Sequence, residues 1–284
     1  MIDPPPLPFE DWPRLEPGWV WLCGAGPGDP GQLTQHALTA LRQADVIVYD
    51  ALLDRRILDW RAAGSETVFA GKRGGKPSPL QRDISLRLVE LARAGKRVLR
   101  RKGGYPFVFG RGGEEAQTLI QHGVPFRSVP GITAGIGGLA YAGIPVTHRD
   151  VNQSVAFVTG HDQTGEAPNA VNWEALAQGA QVIVVYMGMK HLDTIAQRLI
   201  RGGRAPADPV CIVSSAPTLD ARLLATRLGR APADATEAGL KPPAVICIGR
   251  AVLLRQALDW QALARGETPR NLDPLNRGRP AEAS

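Results

Sequence analysis

WVWLCGAGPGDPGQLTQHALTALRQADVIVYD, residues 19–50, reads as a strand, a glycine turn, a helix and a second strand. The apolar run WVWLCGAG ends in a Gly/Pro turn, after which Leu33, Ala37, Leu38 and Leu41 recur at helical spacing over 33–43, with Gln32 or Thr34 near the helix start. DVIVYD is continuously apolar up to its closing Asp50, the pattern of a strand covered on both faces.

The same alternation extends outward from this stretch. ETVFAG, a helix over 78–94, RVLRRKGG, a helix from near Gly112 and PFRSVPGIT complete a first series. SVAFVTGH opens a second, with a helix over 173–178, QVIVVYMG, a helix over 192–201, PVCIVSSA and PAVICIGRAV. Repeated strand and helix units predict an α/β protein, each domain a mixed or parallel sheet flanked by helices. The domains are expected at 18–133 and 134–265. Residues 1–17 hold six of the 24 prolines and predict an extended, weakly ordered arm. The polar tail from 266 to 284, GETPRNLDPLNRGRPAEAS, has the composition of a disordered segment.

Composition narrows the class. With 44% hydrophobic and 21% charged residues in 284, most of the chain is able to bury a core. Cys23, Cys211 and Cys247 stand singly in apolar runs without CxxC spacing, which predicts buried strand residues and no metal. No apolar run approaches the roughly 20 residues that span a bilayer, and the first residues lack the charged and apolar regions of a signal peptide, so a cytoplasmic protein is expected. The net charge of +6 admits a polyanionic partner, but only Arg97, Arg100, Arg101 and Lys102 form a tight group. They are expected on a solvated basic surface, and no nucleic-acid-binding pattern accompanies them.

Three glycine-rich turns carry the chemistry. GAGPGDP (24–30) lies where a nucleotide loop would sit, yet Asp29 takes the sixth place that a dinucleotide fingerprint gives to glycine, and Pro27 and Pro30 remove amide donors. Asp50, at a distance suited to a ribose hydroxyl, is the one feature favouring a dinucleotide, and a Walker loop is absent. KGGYPFVFGRGGEE (102–115) holds five glycines between a strand and a helix, more than a turn needs. Arg111 there is able to grip a carboxylate and Glu114 to orient it or accept a proton, though the same spacing serves a structural ion pair at a helix start. VPGITAGIGGLAYAGIP (129–145) is a third small-residue run, and YMG (186–188) ends another strand. Loops at the carboxyl ends of strands line the ligand crevice of open α/β sheets, so these motifs are expected to converge.

In this order GAGPGDP, DVIVYD, GKRGG, KGGYPFVFGRGGEE, VPGITAG, AYAGIPVTHRD, FVTGH and VVYMG resemble the tetrapyrrole methylases, and among them the uroporphyrinogen-III C-methyltransferases, over about residues 18–262. The resemblance implies a two-domain fold, usually a homodimer, with S-adenosylmethionine in the cleft between domains and no metal. It implies cofactor contacts at Pro27, Gly103, Gly104, Tyr105, Val108, Thr133, Ala134, Met187, Ala216 and Ala244. The implied reaction is transfer of two methyl groups to ring carbons of uroporphyrinogen III, giving precorrin-2 for sirohaem, cobalamin or haem d1. Arg111 looks like the residue that meets the macrocycle and assists deprotonation, with Glu114, Asp50, His161 and Tyr186 as candidate catalytic partners; His161 also reads as a structural strand-end histidine. Lys72, Arg73, Arg111 and Arg149 are expected to meet the substrate's carboxylates.

Two positions depart from the family pattern. Tyr105 stands where the family usually has aspartate, and Arg101 where an apolar residue is usual. The alternatives are therefore another precorrin methyltransferase, a weakly active or non-catalytic tetrapyrrole-binding paralogue, or a nicotinamide-dependent oxidoreductase using Asp50.

Overall fold

The computed structural model describes residues 12–71, 81–161, 170–214 and 222–277. The chain divides into two compact units, 1–132 and 133–284.

The first unit comprises β1 (Val20–Gly24), α1 (Gln35–Gln43), β2 (Val46–Tyr49), β3 (Glu66–Phe69), α2 (Gln81–Arg93), β4 (Val98–Lys102), α3 (Gly112–Gln121) and β5 (Phe126–Val129). Its five strands are all parallel, in the order β3-β2-β4-β1-β5. Side chains alternate across a strand, so each strand feeds two cores. Trp21, Cys23, Ile47 and Leu99 pack with Ala37, Ala40 and Leu41 of α1, whereas Val20, Leu22, Val46, Val48 and Val98 pack with Leu88 and Val89 of α2 and Leu119 of α3. Each fully buried aliphatic side chain stabilises by about 1.5–3 kcal/mol. Thr34 caps α1, its Oγ1 accepting from the Ala37 amide at 3.3 Å. The core also takes in Leu15 of the proline-rich arm, which is buried and whose amide donates to Gln43 Oε1 at 2.7 Å.

The second unit comprises α4 (Ala134–Tyr141), β6 (Val155–Thr159), α5 (Trp173–Gly179), β7 (Val182–Tyr186), α6 (Leu192–Arg201), β8 (Pro209–Ser214), β9 (Arg222–Arg227), α7 (Ala231–Glu237), β10 (Ala244–Ile248) and the short α8 (Arg255–Leu258) and α9 (Trp260–Ala264). Its sheet is mixed, in the order β6-β7-β10-β8-β9: β6 and β7 are parallel, while β10 runs antiparallel to both neighbours and β9 antiparallel to β8. Ile183, Val185, Ile212, Ile246 and Ile248 form one face, covered by Trp173 of α5, Leu192, Ile195 and Leu199 of α6, and Ala231 and Ala235 of α7. From the tail, Arg277 Nη1 reaches Asp150 Oδ2 at 2.6 Å.

The basic run of β4 corrects the expectation of a solvated surface. Arg100, Arg101 and Lys102 are all buried, because β4 is the middle strand of the first sheet. The three cysteines are free and buried in their strands.

Candidate cofactor and substrate site

In the first unit, three glycines bring strand ends into backbone contact. A Cβ on Gly24, at the end of β1, would meet Gly104 O at 2.5 Å and Gly131 Cα at 2.5 Å; one on Gly131 would meet Gly104 O at 2.3 Å. Only glycine permits this approach of the loops after β1, β4 and β5. Gly104 N donates to Gly26 O at 2.7 Å and Gly26 N to Gly104 O at 3.3 Å, so the first two loops pair around the half-buried Pro27. Both glycines have positive φ, 72° and 65°. Asp50, just past β2, accepts from Leu52 N at 3.2 Å and from Gly103 N at 3.4 Å, tying a third strand end to the β4 loop. Tyr49, Asp50, Ala51, Leu53, Arg55 and Phe69 line a cavity of about 240 Å³ beside it.

The loop from Gly103 to Arg111 is tightly folded. Gly112 N donates to Pro106 O at 2.9 Å and Val108 N to Tyr105 O at 3.1 Å. Phe109 and Arg111 adopt positive φ, 51° and 58°, conformations that cost a non-glycine residue of order 1 kcal/mol or more and gather at functional sites. Tyr105 is half-buried with its ring 5.8 Å from that of Phe107, which is exposed. Arg111 leaves the loop to form a two-pronged pair with Glu114, Nε to Oε1 at 2.9 Å and Nη2 to Oε2 at 2.6 Å, both side chains about half exposed. The hydrogen bonds from Arg111 hold the Glu114 carboxyl below its usual range and raise the arginine further, so Arg111 stays a cation.

Under this loop lies a buried charge cluster. Glu115 Oε1 accepts from Lys102 Nζ at 2.9 Å, Arg100 Nε at 3.1 Å and Gln81 Nε2 at 2.9 Å. Burial alone would push the Glu115 carboxyl up, but the Arg100 and Lys102 charges outweigh it and hold it below its usual range. Arg101 points to the opposite face, its Nη1 donating to Gly24 O at 3.1 Å. Its Nε and Nη2 have no hydrogen-bond partner, and burial brings its pKa down to about 10.

In the second unit, Tyr186 at the end of β7 is buried, with its hydroxyl 2.8 Å from both Thr133 Oγ1 and Gly135 N. Met187 follows with φ 55° and is partly exposed. A Cβ on Gly160 would stand 2.2 Å from Gly188 Cα, and Gly160 N donates to Tyr186 O at 2.6 Å, so the ends of β6 and β7 also close backbone to backbone. Ala244 opens β10, and because that strand is antiparallel its first residues sit beside Tyr186 and Ser214, the last residues of β7 and β8.

The sequence-predicted residues thus fall into two groups. The first unit gathers Pro27, Asp50, Gly103 and Gly104, with Tyr105 and Val108 on the same loop and Arg111 and Glu114 at its far end. The second gathers Thr133, Ala134, Tyr186 and Met187, with Ala244 one strand over. His161 is half-buried just past β6; its backbone carbonyl accepts from Thr159 Oγ1 at 3.0 Å, and its Nδ1 has no partner. Arg149 is exposed, and Ala216, Lys72 and Arg73 lie outside the described residues. Glu115, Gly24 and Gly131 were not singled out from sequence. The second glutamate of GRGGEE beside the RRK run is the signal for Glu115, but its partners are 13 and 15 residues away on another element.

Residues 20–232 match the model of the Tetrapyrrole (Corrin/Porphyrin) Methylases. A uroporphyrinogen-III C-methyltransferase of Sinorhizobium sp. is 64% identical over 252 residues, 89% of this chain and 90% of that protein. A siroheme synthase of Thiobacillus denitrificans is 48% identical over 243 residues, which span 86% of this chain but half of that longer protein. Among solved structures, the uroporphyrin-III C-methyl transferase of Thermus thermophilus complexed with S-adenyl homocysteine superposes with a TM-score of 0.71 at 38% identity, covering 82% of this chain and 98% of that one. The glycine junctions, the mixed second sheet and these likenesses converge on one assignment: the chain belongs to the tetrapyrrole methylase family.

Proposed function

We propose that this protein is an S-adenosylmethionine-dependent uroporphyrinogen-III C-methyltransferase that methylates its substrate twice, giving precorrin-2. The observation that carries this reading is the 64% identity with the Sinorhizobium enzyme across nearly the whole of both chains. The glycine junctions support the cofactor: backbone bared at Gly24, Gly104 and Gly131 suits a ligand lying against the main chain. Pro27, Gly103, Gly104, Tyr105 and Val108 would hold it in the first unit, and Thr133, Ala134, Met187 and Ala244 in the second, with Ala216 alongside. When bound, the cofactor supplies an electrophilic sulfonium methyl.

The chain's own residues orient the ring carbon and handle one proton per transfer. Arg111, a permanent cation steadied by Glu114, binds a substrate carboxylate and does not itself take up a proton. Asp50, held by two backbone amides at the end of β2, is the carboxylate best placed to receive the ring proton. His161 is the second titratable candidate.

Among the described residues no helix is long and apolar enough to cross a membrane, which supports a cytoplasmic enzyme. The likeness to siroheme synthases supports a place in sirohaem synthesis, with cobalamin and haem d1 as further destinations, and family resemblance supports a homodimer.

Purified protein given methyl-labelled S-adenosylmethionine and either anaerobically generated uroporphyrinogen III or a later corrinoid tests the reading. Label entering uroporphyrinogen III supports it; label entering the corrinoid alone assigns a later methylation, and label in neither supports a binding paralogue.

A further inference from the structure

We propose that Tyr186 is a positioning residue for cofactor binding: its hydroxyl caps α4 in place of a local side chain and fixes the Thr133 hydroxyl beside it. This inference rests on the methyltransferase reading and goes beyond it by giving Tyr186 a structural task instead of proton transfer.

A threonine at a helix N-cap ordinarily turns its oxygen onto an amide of the first turn. Thr133 occupies that position ahead of α4 yet makes no such bond. The Gly135 amide goes to the Tyr186 hydroxyl, 2.8 Å away and 51 residues on in sequence. Ile136 and Gly137 amides donate to Thr133 O at 3.0 and 2.9 Å, which leaves the Ala134 amide without an acceptor among the described residues. Relieved of capping, the Thr133 hydroxyl lies 2.8 Å from Tyr186 and keeps capacity for a further hydrogen bond. Thr133 and Ala134 therefore present a hydroxyl and an amide whose directions are set from β7.

The neighbourhood is shaped for this task. A Cβ on Gly135 would stand 2.3 Å from the Tyr186 hydroxyl, so glycine is what lets the phenol reach the helix. Gly160 N holds the Tyr186 carbonyl at 2.6 Å, and the Phe157 ring lies edge-on 6.2 Å from the tyrosine ring. Burial pushes the phenol above its ordinary range, so it remains protonated at neutral pH and serves as a fixed hydrogen-bonding group. Polar groups fixed before the ligand arrives reduce the ordering cost of binding.

Calorimetric binding of S-adenosylhomocysteine to the wild type, Y186F, T133V and the double variant tests the inference, with thermal unfolding as a control for folding. The expected result is that Y186F binds about tenfold more weakly, and that the double variant binds within about twofold of T133V alone, because the phenol acts through Thr133. Gly135→Ala, which displaces the hydroxyl without removing it, gives the same loss and serves if Y186F does not fold. Unchanged affinity in Y186F, or losses that simply add in the double variant, overturns the inference while leaving the methyltransferase reading intact. No binding by the wild type overturns both.

Discussion

Lys102 Nζ lies 2.9 Å from Oε1 of Glu115, both side chains buried, directly beneath the loop that begins at Gly103. Arg100 and Gln81 converge on the same oxygen. A buried pair is costly to break, because the surviving partner is left charged and dry. The cluster therefore anchors the start of α3 to β4 at the point where the chain turns into the candidate site.

Glu115→Gln should destabilise the protein by about 3–5 kcal/mol, since it leaves two buried cations uncompensated. Chemical denaturation checks this. Because the Glu115 carboxyl is held below its usual value near 4.5, its contribution is fully present above that pH and is lost as pH falls through the lowered folded value. The variant should therefore show a weaker loss of stability than the wild type below about pH 4.5.

Arg101→Leu should have the opposite sign. The guanidinium keeps one hydrogen bond, to Gly24 O, and buries two nitrogens without partners, so an apolar side chain of similar length should stabilise by about 1–3 kcal/mol. The depressed value near 10 agrees in sign: the charged form is disfavoured in the folded state, a cost present at neutral pH and relieved as pH rises through 10. A lower melting temperature in this variant would show that the bond to Gly24 outweighs the burial.

Gly131→Ala should fold less stably and lose S-adenosylhomocysteine affinity by more than about tenfold, because its Cβ would lie 2.3 Å from Gly104 O and force the glycine loops apart. Gly113→Ala, where a Cβ meets nothing within 4 Å, is the matched control and should bind like the wild type.

Much of the fold was legible because hydrophobic period encodes element type. The strand of DVIVYD, the helix over 192–201 and the glycine loops at strand ends all stand where the pattern put them. Period carries no direction, so the antiparallel course of β10 could not be read from AVICI. The edge strand β9, mostly half-buried or exposed over RLLATR, and the alanine-rich α7 gave too weak a contrast to be recognised. VLRRK misled for a different reason: counting charge places it on the surface, whereas pairing with Glu115 and the central place of β4 bury it. The tie of Tyr186 to Thr133 spans 53 residues, and no local motif announces it.

Arg111→Ala and Arg111→Lys should separate charge from geometry. The pair with Glu114 is half exposed and contributes at most about 1 kcal/mol to stability, so both variants should melt close to the wild type. If Arg111 grips a substrate carboxylate with two parallel hydrogen bonds, alanine should lower kcat/KM by about 100-fold and lysine should recover only part of that loss. Steady-state kinetics with uroporphyrinogen III measures both.

The most direct test is the mass of the macrocycle after turnover with excess S-adenosylmethionine, for the wild type and Asp50→Asn. The account predicts a product carrying two added methyl groups from the wild type and little product from Asp50→Asn, despite unchanged S-adenosylhomocysteine binding. Unmodified uroporphyrinogen III recovered from folded, cofactor-binding wild-type protein would contradict it.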